Sequence, residues 1–87
     1  MLINVRGDNL TVEVAGNAAS FELVLEGRID IQSSDNWYTL ACINLGNLAK
    51  TDTIDAAGLY QTSVEGISEV RVNLRSVSGG SISVIGR

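Results

Sequence analysis

Few side chains in this sequence could carry out catalysis. The chain contains several Ser residues but no His, and Lys50 is its only Lys. A serine nucleophile needs a neighbouring base to activate it, and no sequence motif supports a Ser–Lys pair. We therefore predict that the protein is not an enzyme.

Two carboxylates on one predicted strand are the next candidates for chemistry. Glu22 and Glu26 lie four residues apart, which corresponds to about 13 Å along a β-strand. This separation is too large for the paired carboxylates of a glycosidase. We interpret them as solvated charges on a strand face, where Arg71 and Arg75 could pair with them across neighbouring strands.

Metal and cofactor sites are also poorly supported. Calcium binds oxygen-rich loops, and several Asp residues fall in predicted turns or at strand ends: Asp30, Asp35, Asp52 and Asp55. No D-x-D-x-D-G loop is present, so we interpret these residues as turn formers. Cys42 is the only Cys, which excludes an internal disulfide and a cysteine cluster for zinc. We predict a buried, inert thiol at Cys42 and no cofactor.

The charge distribution argues against two classes of partner. The net charge is −4, and the six basic residues are scattered along the chain, so we do not expect a nucleic-acid partner. The apolar runs are far shorter than the ~20 residues that cross a membrane. The first residues, MLINVRGDNL, lack the features of a signal peptide. We therefore expect synthesis and assembly in a cytoplasm.

A period of two dominates the apolar pattern and predicts β-strands. Phe21, Leu23 and Leu25 alternate with polar residues such as Glu22 and Glu26. The same alternation recurs in three further segments: 10–14, 70–75 and 81–84. The sequence therefore predicts strands that bury one face and expose the other.

Turn-forming residues separate these runs into seven or eight short strands. The stretch Ser78-Gly79-Gly80-Ser81 predicts a hairpin turn, because Gly adopts positive φ without steric cost. Short strands with regularly spaced turns are typical of a sandwich or barrel. We predict one domain over residues 1–87, an all-β fold that forms a small antiparallel β-sandwich of jelly-roll or Ig-like type.

The only Trp in the chain lies next to Tyr38 in a segment that is apolar on both faces. Neighbouring side chains on a strand point to opposite faces. We place Trp37 in the core, together with Ala41 and Ile43, on a central strand over residues 37–45 that is covered on both sides. Tyr38 is then on the other face, where its hydroxyl can reach water or a partner subunit.

Four apolar residues are candidates for a protein interface: Val24, Tyr38, Leu40 and Ile85. Each lies on a face that the alternation predicts to point away from the core. If they cluster, they form an apolar patch that a partner must cover, but packing on both sides within one monomer explains them equally well. A domain of this size has a thin stability margin, so partner subunits are the expected reinforcement.

Two segments resemble small phage and prophage structural proteins. They are FELVLEGRIDIQSSDNWYTLACINL and TIDAAGLYQTSVEGISEVRVNLRSVSGGSISVIGR, and the resemblance covers residues 21–87. The second carries a short TI-x-x-x-G-x-Y unit, a V-x-G corner and a closing Gly-Gly turn. The sequence departs from the usual pattern at Asp35-Asn36, where Asp-Gly is common.

The resemblance implies a virion structural protein that binds its neighbours. Similar proteins serve as capsid decorations, head-fibre bases or tail-appendage modules, often as trimers. The implied partners are further copies of the chain, with a trimer favoured, and other virion proteins on the capsid, neck or tail. The implied location is the virion. A module that binds glycan or another host-surface component is the alternative, although the chain is only 5% aromatic.

Overall fold

The structure, a computed structural model, describes residues 2–3, 8–29 and 36–86. These residues form nine β-strands: β1 (Leu2–Ile3), β2 (Asn9–Gly16), β3 (Ser20–Arg28), β4 (Tyr38–Thr39), β5 (Cys42–Asn44), β6 (Lys50–Thr51), β7 (Gly58–Ser63), β8 (Glu69–Ser78) and β9 (Ile82–Gly86). The number exceeds the predicted seven or eight because three of the strands are only two residues long.

The strands form two antiparallel sheets. The four-stranded sheet has the order β1-β8-β3-β4, and the five-stranded sheet has the order β6-β5-β7-β2-β9. Alternate residues of both sheets enter one core, as the period of two predicts. Its buried members are Leu10, Val12, Val14, Leu23, Leu25, Cys42, Ile54, Tyr60, Val64 and Val70. The predicted all-β fold with two packed antiparallel layers is confirmed.

At one end of the molecule, two connections of the chain cross from one sheet to the other. The β2–β3 and β8–β9 connections run side by side: Ala18 N–H donates to the Ser81 carbonyl oxygen at 3.2 Å, and Ala19 N–H donates to that of Ser78 at 2.9 Å. β8 pairs with β3, whereas β9 pairs with β2 in the other sheet. The predicted hairpin turn at Gly79-Gly80 is therefore wrong, because this connection crosses between layers.

Glycine is required at this crossing because the two connections approach closely. Gly79 has φ +74°, and a Cβ atom there would lie 2.6 Å from the Cβ of Ala19. Gly80 has φ +144°, and its added Cβ would lie 2.6 Å from Asn17 Oδ1. The positive φ predicted for the Gly pair is thus present, and it serves a corner between sheets.

The segment from Trp37 to Leu45 also crosses between the sheets. Its first part forms β4 at the edge of the four-stranded sheet, and the Leu40 N–H donates to the Leu25 carbonyl oxygen at 2.7 Å. Its second part forms β5 in the five-stranded sheet. The predicted continuous central strand is wrong: the segment is apolar on both sides because the chain changes layers.

Asp30 and Asp35, two of the predicted turn formers, lie outside the described residues.

Candidate interaction surfaces

The outer face of the four-stranded sheet is built around two ion pairs between β3 and β8, and we call it the charged face. Arg28 lies directly opposite Glu69, and its Nη2 and Nε atoms are 2.6 and 2.9 Å from Glu69 Oε1. Arg71 lies opposite Glu26, with Nε 2.8 Å from Glu26 Oε1. The predicted pairing of Arg71 with a β3 carboxylate is confirmed for Glu26. The interpretation of Glu26 as a solvated charge is wrong, because the residue is buried.

Trp37 lies on this charged face. The guanidinium carbons of Arg28 and Arg71 are 4.6 and 4.3 Å from the centre of the indole ring, within the range of cation–π attraction. The placement of Trp37 in the core is therefore wrong. The indole covers two ion pairs on the outside of the sheet.

Val24 is buried on the same side of the sheet. It alternates with the core residues Leu23 and Leu25, so it points away from the core between the sheets. Its side chain is nevertheless only 1% exposed. Val24 therefore offers no free surface to a partner, and its proposed role in an interface is wrong.

The other two interface candidates near this sheet, Tyr38 and Leu40, differ in their surroundings. Tyr38 is 65% exposed on the edge strand β4, as predicted. Its pairing with Gly27 nevertheless puts it on the inner side of the sheet and not on the outer face, because opposed residues share a face. Leu40 is partly buried and packs against the core. A cavity of about 300 Å³ lies between them, lined mainly by apolar side chains that include Ile29 and Ile67.

The outer face of the five-stranded sheet exposes a group of large aliphatic side chains, and we call it the apolar face. Its members are Ile43, Leu45, Leu59 and Ile85, which are 41%, 38%, 46% and 55% exposed. Ile85 was the only one predicted as an interface candidate, and its exposure agrees with that prediction. Ile43 was predicted in the core, and this is wrong because Cys42 is the β5 residue that points inward.

The register of the strands brings these side chains together. The Leu45 N–H donates to the Leu59 carbonyl oxygen at 2.9 Å, Leu59 lies opposite Glu13, and Glu13 lies opposite Ile85. Glu13, Leu59 and Ile85 line a shallow groove of about 310 Å³ together with Thr11. Leu59 was missed, although the sequence could have indicated it: Tyr60, Thr62 and Val64 are buried at alternate positions, so Leu59 must point outward.

The apolar face carries little charge. The five strands of this sheet contain two charged residues, Glu13 and Lys50. Four other aliphatic side chains are exposed among the described residues: Ile29, Leu48, Leu74 and Val77.

Cys42 is a core residue, as predicted, and is 1% exposed. Burial, followed by the negative charge of Asp52, raises the pKa of its thiol from the ordinary value of 9.0 to about 11. The thiol is therefore protonated at neutral pH. Because the folded pKa is raised, the stability linked to this group is fully present below pH 9.0 and is lost as the pH rises towards 11.

Tyr60 is the other buried residue whose pKa is shifted. Its hydroxyl donates to the Ala56 carbonyl oxygen at 2.7 Å. Burial, and then the charge of Asp55, raises the pKa of the phenol above its ordinary value of 10.0. Tyr60 thus acts as a hydrogen-bonded core residue rather than as an acid or base.

The described residues add no chemical site to this picture. Among residues 8–29 and 36–86, no group of three or more His, Cys, Asp or Glu side chains could hold a metal ion. No helix in the same part of the chain is long and apolar enough to cross a membrane. The absence of enzymatic activity stays a prediction.

Two antiparallel sheets around one core, with exposed outer faces, place the chain among small all-β proteins. The XepA family model matches residues 4–87, and the chain belongs to this family. A search of curated proteins found no match.

Two solved structures have the same fold. One is the SPBc2 prophage-derived protein YomS, with a TM-score of 0.77 and 21% identity over 91% of this chain and 68% of YomS. The other is the PBSX exported protein XepA, with a TM-score of 0.89 and 22% identity over 99% of this chain. The chain spans only 30% of the length of that XepA protein. The predicted resemblance to small phage and prophage proteins is confirmed.

Proposed function

We propose that this protein is an assembly module of a phage or prophage particle and acts through protein–protein contacts. Membership of the XepA family and the fold shared with two prophage proteins support this class of function. The proposal includes three alternative attachment sites on the particle: the capsid, the neck and the tail. Capsid decoration and a head-fibre base are the specific roles that the sequence resemblance favours.

The apolar face carries the proposal. Its four aliphatic side chains are 38–55% exposed on one side of one sheet, whereas the core between the sheets already contains a complete set of buried residues. An exposed group of large apolar side chains on one face of a small domain is typical of a protein interface. The nearly uncharged composition of this sheet suits the central part of such an interface, from which charged residues are depleted.

We also propose that the protein works as a homo-oligomer within the virion. Symmetric repetition multiplies a weak contact over many copies, which suits a chain of 87 residues with a small core. The trimer that the resemblance favours is a prediction about the order of this oligomer. The expected partners are other copies and other virion proteins, without nucleic acid, membrane or cofactor.

Glycan binding is the weaker alternative. Carbohydrate platforms use exposed aromatic rings, and Trp37 is occupied by two guanidinium groups on the charged face. Tyr38 offers one exposed ring. A glycan array with the purified protein tests this alternative directly.

Co-sedimentation with particles tests the proposed function. Particles from an induced lysogen that encodes the protein would be separated on a density gradient and probed for the chain by immunoblot. We expect the wild-type chain in the particle fraction and the Leu59→Lys variant shifted to the soluble fraction, while Glu65→Lys, at an exposed turn position, stays with the particles. A wild-type chain found only in the soluble fraction would contradict the proposal.

A further inference from the structure

We propose that the open edge of β9 binds an extended segment of another particle protein, which adds to the five-stranded sheet as a further antiparallel strand. The segment carries apolar side chains at alternate positions and basic residues at its ends. This inference rests on the proposed function and deepens it, because it names a kind of partner and the way in which the chain binds it. It is carried by backbone groups of β9 that no other described strand pairs.

β9 is the longest edge strand among the described residues. Four strands lie at the edges of the two sheets: β1, β4, β6 and β9. As described, the first three are two residues long, whereas β9 has five residues. A long edge presents a row of unpaired N–H and C=O groups to which another strand can pair. β9 is therefore the edge at which an added strand can form a ladder.

Hydrogen bonds at the two ends of β2 show which of its backbone groups face β9. The Val64 N–H donates to the Asp8 carbonyl oxygen at 2.8 Å, and the Asn17 N–H donates to that of Ser81 at 3.0 Å. Bonded pairs alternate along an antiparallel ladder. The even-numbered residues of β2 therefore bond to β7, and its odd-numbered residues bond to β9.

The same alternation fixes the direction of the backbone groups of β9. Ser83 and Ile85 lie opposite odd-numbered residues of β2, so they bond to β2. The backbone N–H and C=O groups of Ile82, Val84 and Gly86 then point away from β2. No described residue pairs with them, so these groups are open to a partner strand.

The β9 edge lacks the features that usually block strand addition. Natural edge strands are protected by charged side chains, Pro, bulges or a covering segment. β9 has the sequence ISVIG, without charge and without Pro, and its register with β2 is continuous from Ile82 to Gly86. Recognition by strand addition uses exposed edges of this kind.

The side chains along β9 define what the added strand carries. All strand pairs of this sheet are antiparallel, and opposed residues share a face. Ile82 and Val84 are partly buried against the core, so the residues opposite them extend the margin of the core and should be apolar. Ile85 is 55% exposed on the apolar face. The intervening residues of the segment continue that face past Ile85.

Charge favours a basic segment over a second copy of the chain. The net charge is −4. Glu13, which lies opposite Ile85, is exposed and forms no ion pair among the described residues. A second copy brings the same negative charge, whereas a segment with basic ends is attracted to this side of the sheet.

A titration of the purified full chain with synthetic peptides tests the added strand by NMR. The probe is KVTVTVK, which alternates Val and Thr between basic ends. We expect binding to slow the amide hydrogen exchange of Ile82, Val84 and Gly86, because their N–H groups gain acceptors. The amides of Ser83 and Ile85, which bond to β2, should be protected with and without peptide. The acidic control EVTVTVE should bind at least about fivefold more weakly.

Val84→Pro is the matching change in the protein. Proline removes the outward N–H group at this position but no hydrogen bond to β2, and edge strands tolerate Pro where the N–H faces solvent. Val84→Ala shortens the same side chain and keeps the N–H group. We expect Val84→Pro to bind KVTVTVK at least about fivefold more weakly than Val84→Ala, since a hydrogen bond is lost. Circular dichroism shows whether both variants are folded.

Methylated peptides test the same contact with the wild-type chain. The Val residues of the probe lie opposite the outward-facing backbone groups of β9, so their N–H groups bond to it, whereas those of the Thr residues point away. N-methylation of the central Val should weaken binding at least about fivefold, and N-methylation of one Thr should not.

Several results overturn the added strand. These are no binding of KVTVTVK at about 1 mM, slowed exchange only at amides outside β9, equal binding by the two methylated peptides, or equal binding by the two folded Val84 variants. Equal binding of the basic and acidic peptides overturns the proposed charge. If the three outward amides become protected as the chain alone is concentrated, the edge pairs with a second copy and the proposed partner is wrong.

Co-sedimentation separates this inference from the proposed function. We expect Val84→Pro in the soluble fraction and Val84→Ala with the particles. If the wild type and both variants enter particles, the assembly role stands and the contact through β9 is excluded. If the peptide binds at β9 but the wild-type chain never enters particles, the edge still binds strands and the particle role is excluded.

Discussion

The outer faces of the two sheets differ in how far their side chains contact one another. On the charged face, side chains of β3, β8 and the segment before β4 satisfy one another: two cross-strand ion pairs lie under one indole ring. On the apolar face, four aliphatic side chains are 38–55% exposed, and the two charged residues of the sheet have no ion-pair partner among the described residues. The charged side chains of one face are paired within the chain, whereas the aliphatic side chains of the other face stay exposed.

This difference separates stability from assembly within one small domain. Removing a group from the charged face breaks contacts that the monomer already makes, so it should lower the free energy of unfolding. Removing a group from the apolar face takes away little that the monomer uses, so it should change association instead. Matched substitutions at residues of the two faces should therefore differ in their effects on stability.

The largest expected effect comes from Val24. Val24→Ala removes two methyl groups from a site that is 1% exposed and should lower the free energy of unfolding by about 2 kcal/mol. Leu59→Ala removes a larger part of a side chain that is 46% exposed and should change it by less than about 0.5 kcal/mol. Urea denaturation at a concentration low enough to keep the chain monomeric measures both.

Equal effects of these two substitutions on the free energy of unfolding would contradict the proposed difference between the two faces. If Leu59→Ala destabilises the monomer as much as Val24→Ala, the apolar face is part of the monomer's own packing. Repeating the titration at high protein concentration separates association from folding, since a dimer adds stability only where it is populated.

The neighbours Trp37 and Tyr38 give a second matched pair with a smaller effect. Trp37→Ala removes the ring that lies over Arg28 and Arg71 and should cost about 1–2 kcal/mol, since two partly shielded cation–π contacts are lost. Tyr38 is 65% exposed, so Tyr38→Ala should cost less than about 0.5 kcal/mol. Thermal unfolding at low and high salt measures both.

The Trp37 result has a clear contrary outcome. If the two variants unfold at the same temperature, the indole contributes no more to the monomer than an exposed ring, and the charged face is not completed by it. A wild-type protein whose Trp fluorescence is quenched by iodide as strongly as free Trp would lead to the same conclusion.

The sequence predicted the layers of the fold better than the position of Trp37. Alternation identified the buried sets on β2 and β3, because each of these strands keeps one face in the core over at least five residues. On β8 the predicted set holds at Val70 and Val72, whereas Leu74 is 45% exposed. Alternation failed between Trp37 and Leu45, where the chain leaves one sheet after two residues of β4 and enters the other. A change of layer resets which residues point inward, and no local pattern marks where it happens.

The same limit explains which interface candidates were wrong. Val24 is on the outward side, as alternation indicated, but burial on that side depends on what covers the sheet, which is a long-range property. Leu40 and Ile43 were exchanged between core and surface by the layer change. The pair Gly79-Gly80 indicated positive φ, but whether the turn forms a hairpin or a corner depends on the partner strands of β8 and β9.

The smallest expected effect concerns the turn between β5 and β6, at the end of the apolar face. Leu48 has φ +61° and is the only non-Gly residue with positive φ among the described residues. Asn44 and Asn47 side chains accept backbone N–H groups of Gly46 and Ala49 and hold the turn. A branched residue in this conformation costs about 1 kcal/mol, and the side chain of Leu48, with the residue 75% exposed, recovers little of it by packing.

Leu48→Asn should therefore stabilise the monomer by about 0.5–1 kcal/mol, because Asn tolerates left-handed backbone. In a domain of this size, this corresponds to a rise of about 2–8 °C in Tm. Leu45→Asn, on the same face but without positive φ, is the control and should give no rise. If Leu48→Asn raises the Tm of the monomer and also weakens co-sedimentation with particles, the strained residue contributes to the contact. If it raises the Tm and leaves co-sedimentation unchanged, the apolar face ends at Leu45. An unchanged Tm would mean that the turn holds Leu48 without strain, and the cost assigned to this backbone would be wrong.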